Sequence, residues 1–247
     1  MTKRELREQR RAQRLAAERA AAAAATRRRR LRRLGLSAAV AAIAVAVVAA
    51  VSTSSETPAP KPEAVALVAG LDEHDGVLGN PNAPITVTEY VDLQCPVCAE
   101  AARETLPTLI NDYVKTGKVK LQARTLSFLG PDSVRSAKVA AGAQQQGRLW
   151  AFLEAFYASQ GTENSGYVTD DFLRDVARAA GVDADTALDY AETPEATRAL
   201  EQADSDAAAA GVDSTPTFTV KRGDGREKVL AVGVTDLSAA LEEELAE

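Results

Sequence analysis

A β-strand pattern, a pair of cysteines and a helix pattern follow one another without a break between residues 85 and 106. The segment Ile85–Asp92 alternates and is rich in β-branched residues, whereas Ala99–Leu106 consists of helix-forming residues. Cys95 and Cys98 lie between the two segments and are the only cysteines in the 247 residues. The pair therefore falls at a strand-to-helix junction, which limits the folds open to the chain.

Three kinds of chemistry fit two cysteines in a C-x-x-C. A structural zinc ion takes four Cys or His ligands. Because the chain has one histidine, His74, carboxylates or a second chain would have to complete such a site. A permanent disulfide across so short a loop removes little entropy from the unfolded chain. We favour the third interpretation, a redox-active dithiol without a metal, because the helix N-terminus lowers the pKa of a thiol.

The dithiol interpretation gives the two sulfurs different roles. Cys95, at the start of the helix, is expected to be the more exposed sulfur and the attacking one. Cys98 lies one turn further in and is expected to be the buried, resolving sulfur. Pro96 suits the first helical turn, because the N–H that it lacks would have no partner there.

Glu89 lies on the apolar face of the strand, in phase with four hydrophobic residues, Ile85, Val87, Val91 and Leu93. A buried carboxylate resists ionisation, so its pKa rises. We predict that Glu89 accepts a proton behind the dithiol and helps to deprotonate Cys98 during exchange. The alternative is that Glu89 pairs locally or that this face is partly wet.

The N-terminal region has an unusual distribution of charge. Residues 1–33 carry 13 basic and three acidic side chains, a net charge of +10, whereas the whole chain carries −6 and the remainder therefore −16. Residues 34–51 are uncharged and would span about 27 Å as a helix, close to the thickness of a bilayer core. We predict a cytoplasmic arm over 1–33 and an uncleaved transmembrane helix over 34–51.

A Pro-rich linker is predicted over 52–68, followed by an extracytoplasmic domain over 69–247. A cleaved signal peptide that ends near residue 51 is the alternative to the membrane anchor. Nucleic-acid binding by the basic arm is not expected, because a membrane span accounts for its charge.

The predicted domain is of the α/β class. A short strand or loop at Val77–Leu78 and a turn precede the Ile85–Asp92 strand, and a second strand follows at 119–126. A helical insertion is predicted over about 130–210, in segments near 133–146, 149–159, 170–180, 184–192 and 195–210. A hairpin over 217–221 and 228–232 and a last helix, capped by Asp236, complete the domain.

Strand, dithiol helix, strand, helical block, hairpin and helix form a thioredoxin-like order with an inserted helical subdomain. With this order, four segments resemble the DsbA-like family of extracytoplasmic thiol–disulfide oxidoreductases: Leu78–Pro84, Glu89–Cys98, Gly147–Tyr157 and Gly211–Phe218. The dithiol followed by Thr-Pro-Thr-Phe at 215–218 is the specific part of the resemblance.

The resemblance implies a cis peptide bond before Pro216, which would expose the backbone of Thr215 beside the sulfurs to an extended substrate. It also implies substrate contacts at Pro96 and Val97, a buried acid at Glu89 and no cofactor. Strong oxidants of this family carry His between the proline and the second cysteine. Because a valine side chain donates no hydrogen bond to a thiolate, we expect a weaker oxidant.

We therefore predict an enzyme that exchanges disulfides with cysteine-containing secreted or cell-envelope proteins. Oxidation would need a membrane redox partner, DsbB-like or VKOR-like, and a monomer is expected because little chain is left for a dimerisation module. The alternatives are a reductase or isomerase, or a membrane-tethered thioredoxin-fold binding module with a static disulfide.

Overall fold

The computed structural model describes residues 65–234 and 236–246. Within them, six strands form a mixed sheet in the order β1-β2-β4-β3-β5-β6. Strands β3 and β4 are parallel, and the other neighbouring strands are antiparallel. The strands are β1 Glu73–His74, β2 Val77–Leu78, β3 Ile85–Asp92, β4 Val119–Leu126, β5 Thr217–Arg222 and β6 Lys228–Val232.

The described residues also form eight α-helices, and five of these lie between β4 and β5 in the chain. The two helices before β4, Pro96–Glu104 and Leu106–Thr108, are followed directly by a π-helical segment, Leu109–Val114. The α-helices are α1 Pro96–Glu104, α2 Leu106–Thr108, α3 Pro131–Gln145, α4 Leu149–Tyr157, α5 Asp170–Ala179, α6 Ala184–Ala191, α7 Pro194–Ala210 and α8 Ser238–Ala246.

The structure confirms the thioredoxin-like order of the elements and the five helical segments of the insertion. It also confirms the hairpin, in which β5 and β6 pair antiparallel. Asp236 accepts a hydrogen bond from the Ser238 N–H at 2.9 Å, at the start of α8 as predicted. The sequence did not predict β1, which is two residues long, or the π-helical segment.

The N-terminal predictions fall largely outside the described residues. This holds for the basic arm 1–33, the transmembrane helix 34–51 and most of the linker 52–68. Among residues 65–234 and 236–246, no helix has the length and apolarity needed to cross a membrane. The predicted end of the linker is wrong, because Val68 is 7% exposed and packs in the main hydrophobic core.

Strand β3 is the centre of the fold, because β4 and β5 pair with it on either side. Seven of its eight residues are buried, and the exception is Thr86. Helix α4 is buried at every position, and its aromatic side chains Trp150, Phe152 and Phe156 are fully enclosed. This helix therefore packs against the rest of the core on all sides.

A small hairpin, β1–β2, holds the N-terminus of α4. The Glu73 carboxylate accepts hydrogen bonds from the N–H groups of Leu149 and Trp150, at 2.6 and 3.2 Å. The residue at the N-cap position, Arg148, makes no side-chain capping bond, so Glu73 satisfies donors that would otherwise lack a partner. The carbonyl oxygen of Gly76 accepts from Trp150 Nε1 at 3.0 Å.

Glu73→Ala should lower the free energy of unfolding by about 1–2 kcal/mol, the usual cost of a lost helix cap. Glu73→Gln should cost less, because an amide oxygen can still accept one of the two bonds. Trp150 is the only tryptophan of the chain, so its fluorescence during urea unfolding reports on α4 directly. The matched control is Asp72→Ala, at an exposed position; an equal loss in both variants would contradict the capping role.

Candidate active site

The two cysteines lie where β3 leads into α1. Cys95 is the N-cap residue of α1, with φ −73° and ψ 118°, and Pro96 is the first helical residue. Both thiols are free in the structure. Cys95 is 6% exposed and Cys98 is fully buried, so the predicted order of accessibility is confirmed.

The surroundings shift the pKa values of the two thiols in opposite directions. A hydrogen bond from Cys98 is the largest of the effects that lower the pKa of Cys95, to about 6, against the opposing effect of burial. The Thr215 side chain and the N–H groups of Cys98 and Val97 lower it further. Burial raises the pKa of Cys98 well above its usual value, and the same bond to Cys95 raises it again.

The segment before β5 lies against the attacking sulfur. The peptide bond between Thr215 and Pro216 is cis, as the resemblance implied. Cys95 Sγ lies 3.4 Å from the carbonyl oxygen of Thr215 and donates a hydrogen bond to it. The structure therefore brings Thr215 and Pro216 to the dithiol from a distant part of the chain.

The two residues between the cysteines, Pro96 and Val97, lie on the surface. Val97 is 39% exposed, one of the few large hydrophobic side chains in the described residues with so much exposure. Pro216 is buried and Thr215 half-buried. Among the four residues predicted to contact substrate, Pro96 and Val97 thus form an exposed apolar edge. Thr215 and Pro216 supply the backbone beside Cys95.

Glu89 lies in the interior, as its phase along β3 predicted. It is 2% exposed, and the other residues of its phase, Ile85, Val87, Val91 and Leu93, are fully buried. Burial raises its pKa to about 8, and the nearby Glu154 carboxylate adds to the shift. Glu89 in turn raises the pKa of Cys98, so the acid and the resolving thiol interact electrostatically.

The aspartate that ends β3 ties the dithiol turn to the loop after β4. The Asp92 side chain is fully buried and accepts four hydrogen bonds. Its donors are the N–H groups of Gln94, Phe128 and Leu129 and the Ser133 hydroxyl, at 2.8, 3.1, 3.1 and 2.6 Å. The sequence placed Asp92 only as the last residue of a strand. A carboxylate at the end of a buried strand is nevertheless a signal for a residue that ties neighbouring loops together by hydrogen bonds.

Two side chains at the end of α4 hold the backbone of the same turn. The Tyr157 hydroxyl donates to the Asp92 carbonyl oxygen at 3.3 Å. Gln160 Nε2 donates to the carbonyl oxygens of Leu93 and Cys95, at 2.7 and 3.1 Å. The sequence placed Tyr157 only at the end of the segment Gly147–Tyr157, which resembles the family, and contained no signal for Gln160.

Comparisons with known proteins relate the chain to thioredoxin-like proteins. The model of a family described as thioredoxin matches residues 72–243. A probable disulfide bond formation protein D from Bacillus anthracis is 33% identical over 105 residues, which cover 41% of this chain and 48% of that protein. The chain spans about half the length of the curated relatives that head the comparison.

Solved structures show the same fold. A thioredoxin-like oxidoreductase from Silicibacter pomeroyi DSS-3 is 31% identical, with a TM-score of 0.54, over 67% of this chain and 87% of that one. Wolbachia pipientis alpha-DsbA1 shares the fold at 22% identity, with a TM-score of 0.57, over 69% and 88%. The chain therefore belongs to the thioredoxin family.

Proposed function

We propose that this chain is a thiol–disulfide oxidoreductase that exchanges disulfides with extracytoplasmic proteins through Cys95-Pro96-Val97-Cys98. The observation that carries the proposal is the difference between the two sulfurs. Cys95 has a pKa lowered to about 6 and remains slightly accessible, whereas Cys98 is buried and its pKa is raised. A nucleophilic thiolate beside a buried resolving thiol is the arrangement that disulfide exchange requires.

When the protein acts as an oxidant, a substrate thiolate attacks Cys95 Sγ of the Cys95–Cys98 disulfide. The Cys95–Cys98 bond breaks, and its electron pair leaves on Cys98, which takes up a proton. A second substrate thiolate then attacks the substrate sulfur of the mixed disulfide, and Cys95 leaves as a thiolate. Two electrons pass from the substrate to the protein, and the substrate gains a disulfide.

Glu89 is proposed as the group that exchanges the proton of Cys98. Its pKa of about 8 lets it hold a proton or release one near neutral pH, as a general acid–base group should. Thr215 and Pro216 are proposed to receive the extended substrate chain beside Cys95, and Pro96 and Val97 to form the apolar edge of that contact. The 3.4 Å approach of Thr215 to Cys95 supports this placement.

The proposed setting is the outer face of a cell membrane, with the N-terminus in the cytoplasm and residues 34–51 as the single anchor. The substrates would be cysteine-containing secreted or cell-envelope proteins, and a DsbB-like or VKOR-like membrane protein would reoxidise the dithiol. The name of the Bacillus anthracis relative, a probable disulfide bond formation protein, supports the oxidising direction. A monomer suffices for this chemistry, and no cofactor is invoked.

Replacement of the resolving thiol tests the proposal. Cys98→Ser should accumulate mixed disulfides between Cys95 and other proteins, because no second sulfur remains to release them. Non-reducing electrophoresis and mass spectrometry would detect these adducts in cells that express the full chain. The control is the Cys95→Ser and Cys98→Ser double variant, which should trap none.

A binding module with a static disulfide would give the opposite result. The Cys98→Ser variant would then form no adducts, and both thiols of the folded, reduced protein would resist alkylation. That pair of observations would contradict the proposed enzyme.

The residue between Pro96 and Cys98 should set the strength of the oxidant. We expect a reduction potential more negative than the roughly −120 mV of DsbA, because the side chain of Val97, unlike that of a histidine, offers the Cys95 thiolate no hydrogen bond. The pKa of about 6 for Cys95 agrees, since that of DsbA is about 3.5. Equilibration with glutathione buffers measures the potential.

Val97→His should make the protein more oxidising, whereas Val97→Leu, the matched control, should leave the potential nearly unchanged. A wild-type potential as oxidising as that of DsbA would show that the valine does not weaken the oxidant.

A further inference from the structure

We propose that Glu154 and Glu89 form a coupled pair of buried carboxyl groups behind the dithiol, in which Glu154 sets the pH range where Glu89 exchanges a proton with Cys98. This inference rests on the proposed function and adds a residue to which the sequence assigned no role. Glu154 is a positioning residue, since it acts on the proton of Glu89 and not on the sulfurs.

The contacts of α4 fix where Glu154 lies. Trp150, Glu154 and Tyr157 share one face of the helix, because residues four and three positions apart lie one turn from each other. Trp150 Nε1 donates to the Gly76 carbonyl oxygen at 3.0 Å, and the Tyr157 hydroxyl donates to that of Asp92 at 3.3 Å. Glu154 is between these two contacts.

Both contacts lie close to Glu89 on the sheet. The Gly76 carbonyl oxygen also accepts from the N–H of Ala123, at 3.1 Å, and Ala123 is the β4 residue paired with Glu89. Asp92 is three residues beyond Glu89 on β3. The row of side chains on α4 therefore passes over the part of the sheet that carries Glu89, with Glu154 near its middle.

The carboxyl group of Glu154 is buried without a full set of hydrogen bonds. Its side chain is 9% exposed, and its Oε1 atom has no hydrogen-bond partner among the described residues. An unpaired buried carboxylate costs free energy, so the proton-bound form is favoured. Burial raises the pKa of Glu154 to about 8, the same value as for Glu89.

Few other ionisable groups can compete for the proton of Glu89. The residues paired with Glu89 on β4 and β5, Ala123 and Phe218, carry no ionisable group. The groups that interact with Glu89 through charge come from α4 and α1: Glu154, Tyr157 and Cys98. Cys95, at the N-cap of α1, and Asp92, at the end of β3, interact in the same way with Tyr157. None of these can carry a positive charge that would stabilise a carboxylate.

Two carboxyl groups of similar pKa that repel each other titrate in two coupled steps, with one shared proton between them. An ionised Glu154 then makes Glu89 a stronger base. When Cys98 resolves a mixed disulfide, its proton passes to the Glu89 carboxylate and its sulfur bonds to Cys95. The Cys95–substrate bond breaks, and its electron pair leaves on the substrate thiolate.

The titration of Glu89 in the oxidised protein tests the pair most cleanly, because neither cysteine titrates in the disulfide form. Carboxyl carbon chemical shifts measured by NMR should show two steps for Glu89 in the wild-type protein. In Glu154→Gln, Glu89 should titrate in one step at a pKa lower by about one unit, the size expected for coupled groups. Glu201→Gln, on the exposed surface of α7, is the control and should change nothing.

Stability gives a second readout that needs no thiol chemistry. Both folded-state pKa values lie above the usual 4.5, so the protonated forms stabilise the fold. This contribution is complete below about pH 4.5 and is lost as the pH rises through about 8. Glu154→Gln should flatten this loss, and the Glu201→Gln control should keep it.

The pH profile of disulfide exchange connects the pair to the reaction. Its midpoint should move to lower pH in Glu154→Gln, and this displacement should vanish when Glu89→Gln is also present. A one-step Glu89 titration in the wild-type protein, or an unchanged pKa in Glu154→Gln, would overturn the inference. If Cys98→Ser still traps partners in that case, the proposed function stands and only the coupled pair is wrong.

Discussion

The hydrogen bond between the two active-site sulfurs makes them chemically different. The same bond from Cys98 lowers the pKa of Cys95 and raises that of Cys98. Its effect depends on the position of each sulfur. Cys95 begins α1, where free N–H groups are available, whereas Cys98 lies one turn deeper in the core. A shift of α1 relative to β3 would therefore change both thiols together.

Two sets of hydrogen bonds hold the turn between β3 and α1 in place. Asp92 fixes the start of the turn to the loop after β4, through its buried carboxylate. Gln160, just after α4, bonds the carbonyl oxygens of Leu93 and Cys95. The helical insertion thus supports the dithiol directly, and the end of α4 belongs to the site as much as β3 does.

The sequence predicted those features that repeat with a regular period or require a special residue. Alternation along Ile85–Asp92 predicted both β3 and the burial of Glu89, and the two strands of the hairpin were predicted at 217–221 and 228–232. Helix α4 shows where this reasoning ends. Because it is buried on every side, its pattern marks no single face, and nothing indicates which of its side chains meets the dithiol. Glu154 and Gln160 could be assigned only from three-dimensional contacts.

The start of the domain illustrates the same limit. A Pro-rich composition predicted a linker as far as residue 68, but composition does not reveal that Val68 packs in the main hydrophobic core. The two-residue strand β1 is too short for any alternation to be visible. Its role appears only in the fold, where Glu73 caps α4.

The central claim, that the site divides its two sulfurs into a thiolate and a retained thiol, can be measured directly. Ultraviolet thiolate absorbance of the reduced protein, followed over a pH titration, counts the thiols that ionise. We predict one transition near pH 6, which disappears in Cys95→Ser, and no transition of Cys98 below its ordinary range. Two thiols that ionise together near their ordinary pKa would contradict the account.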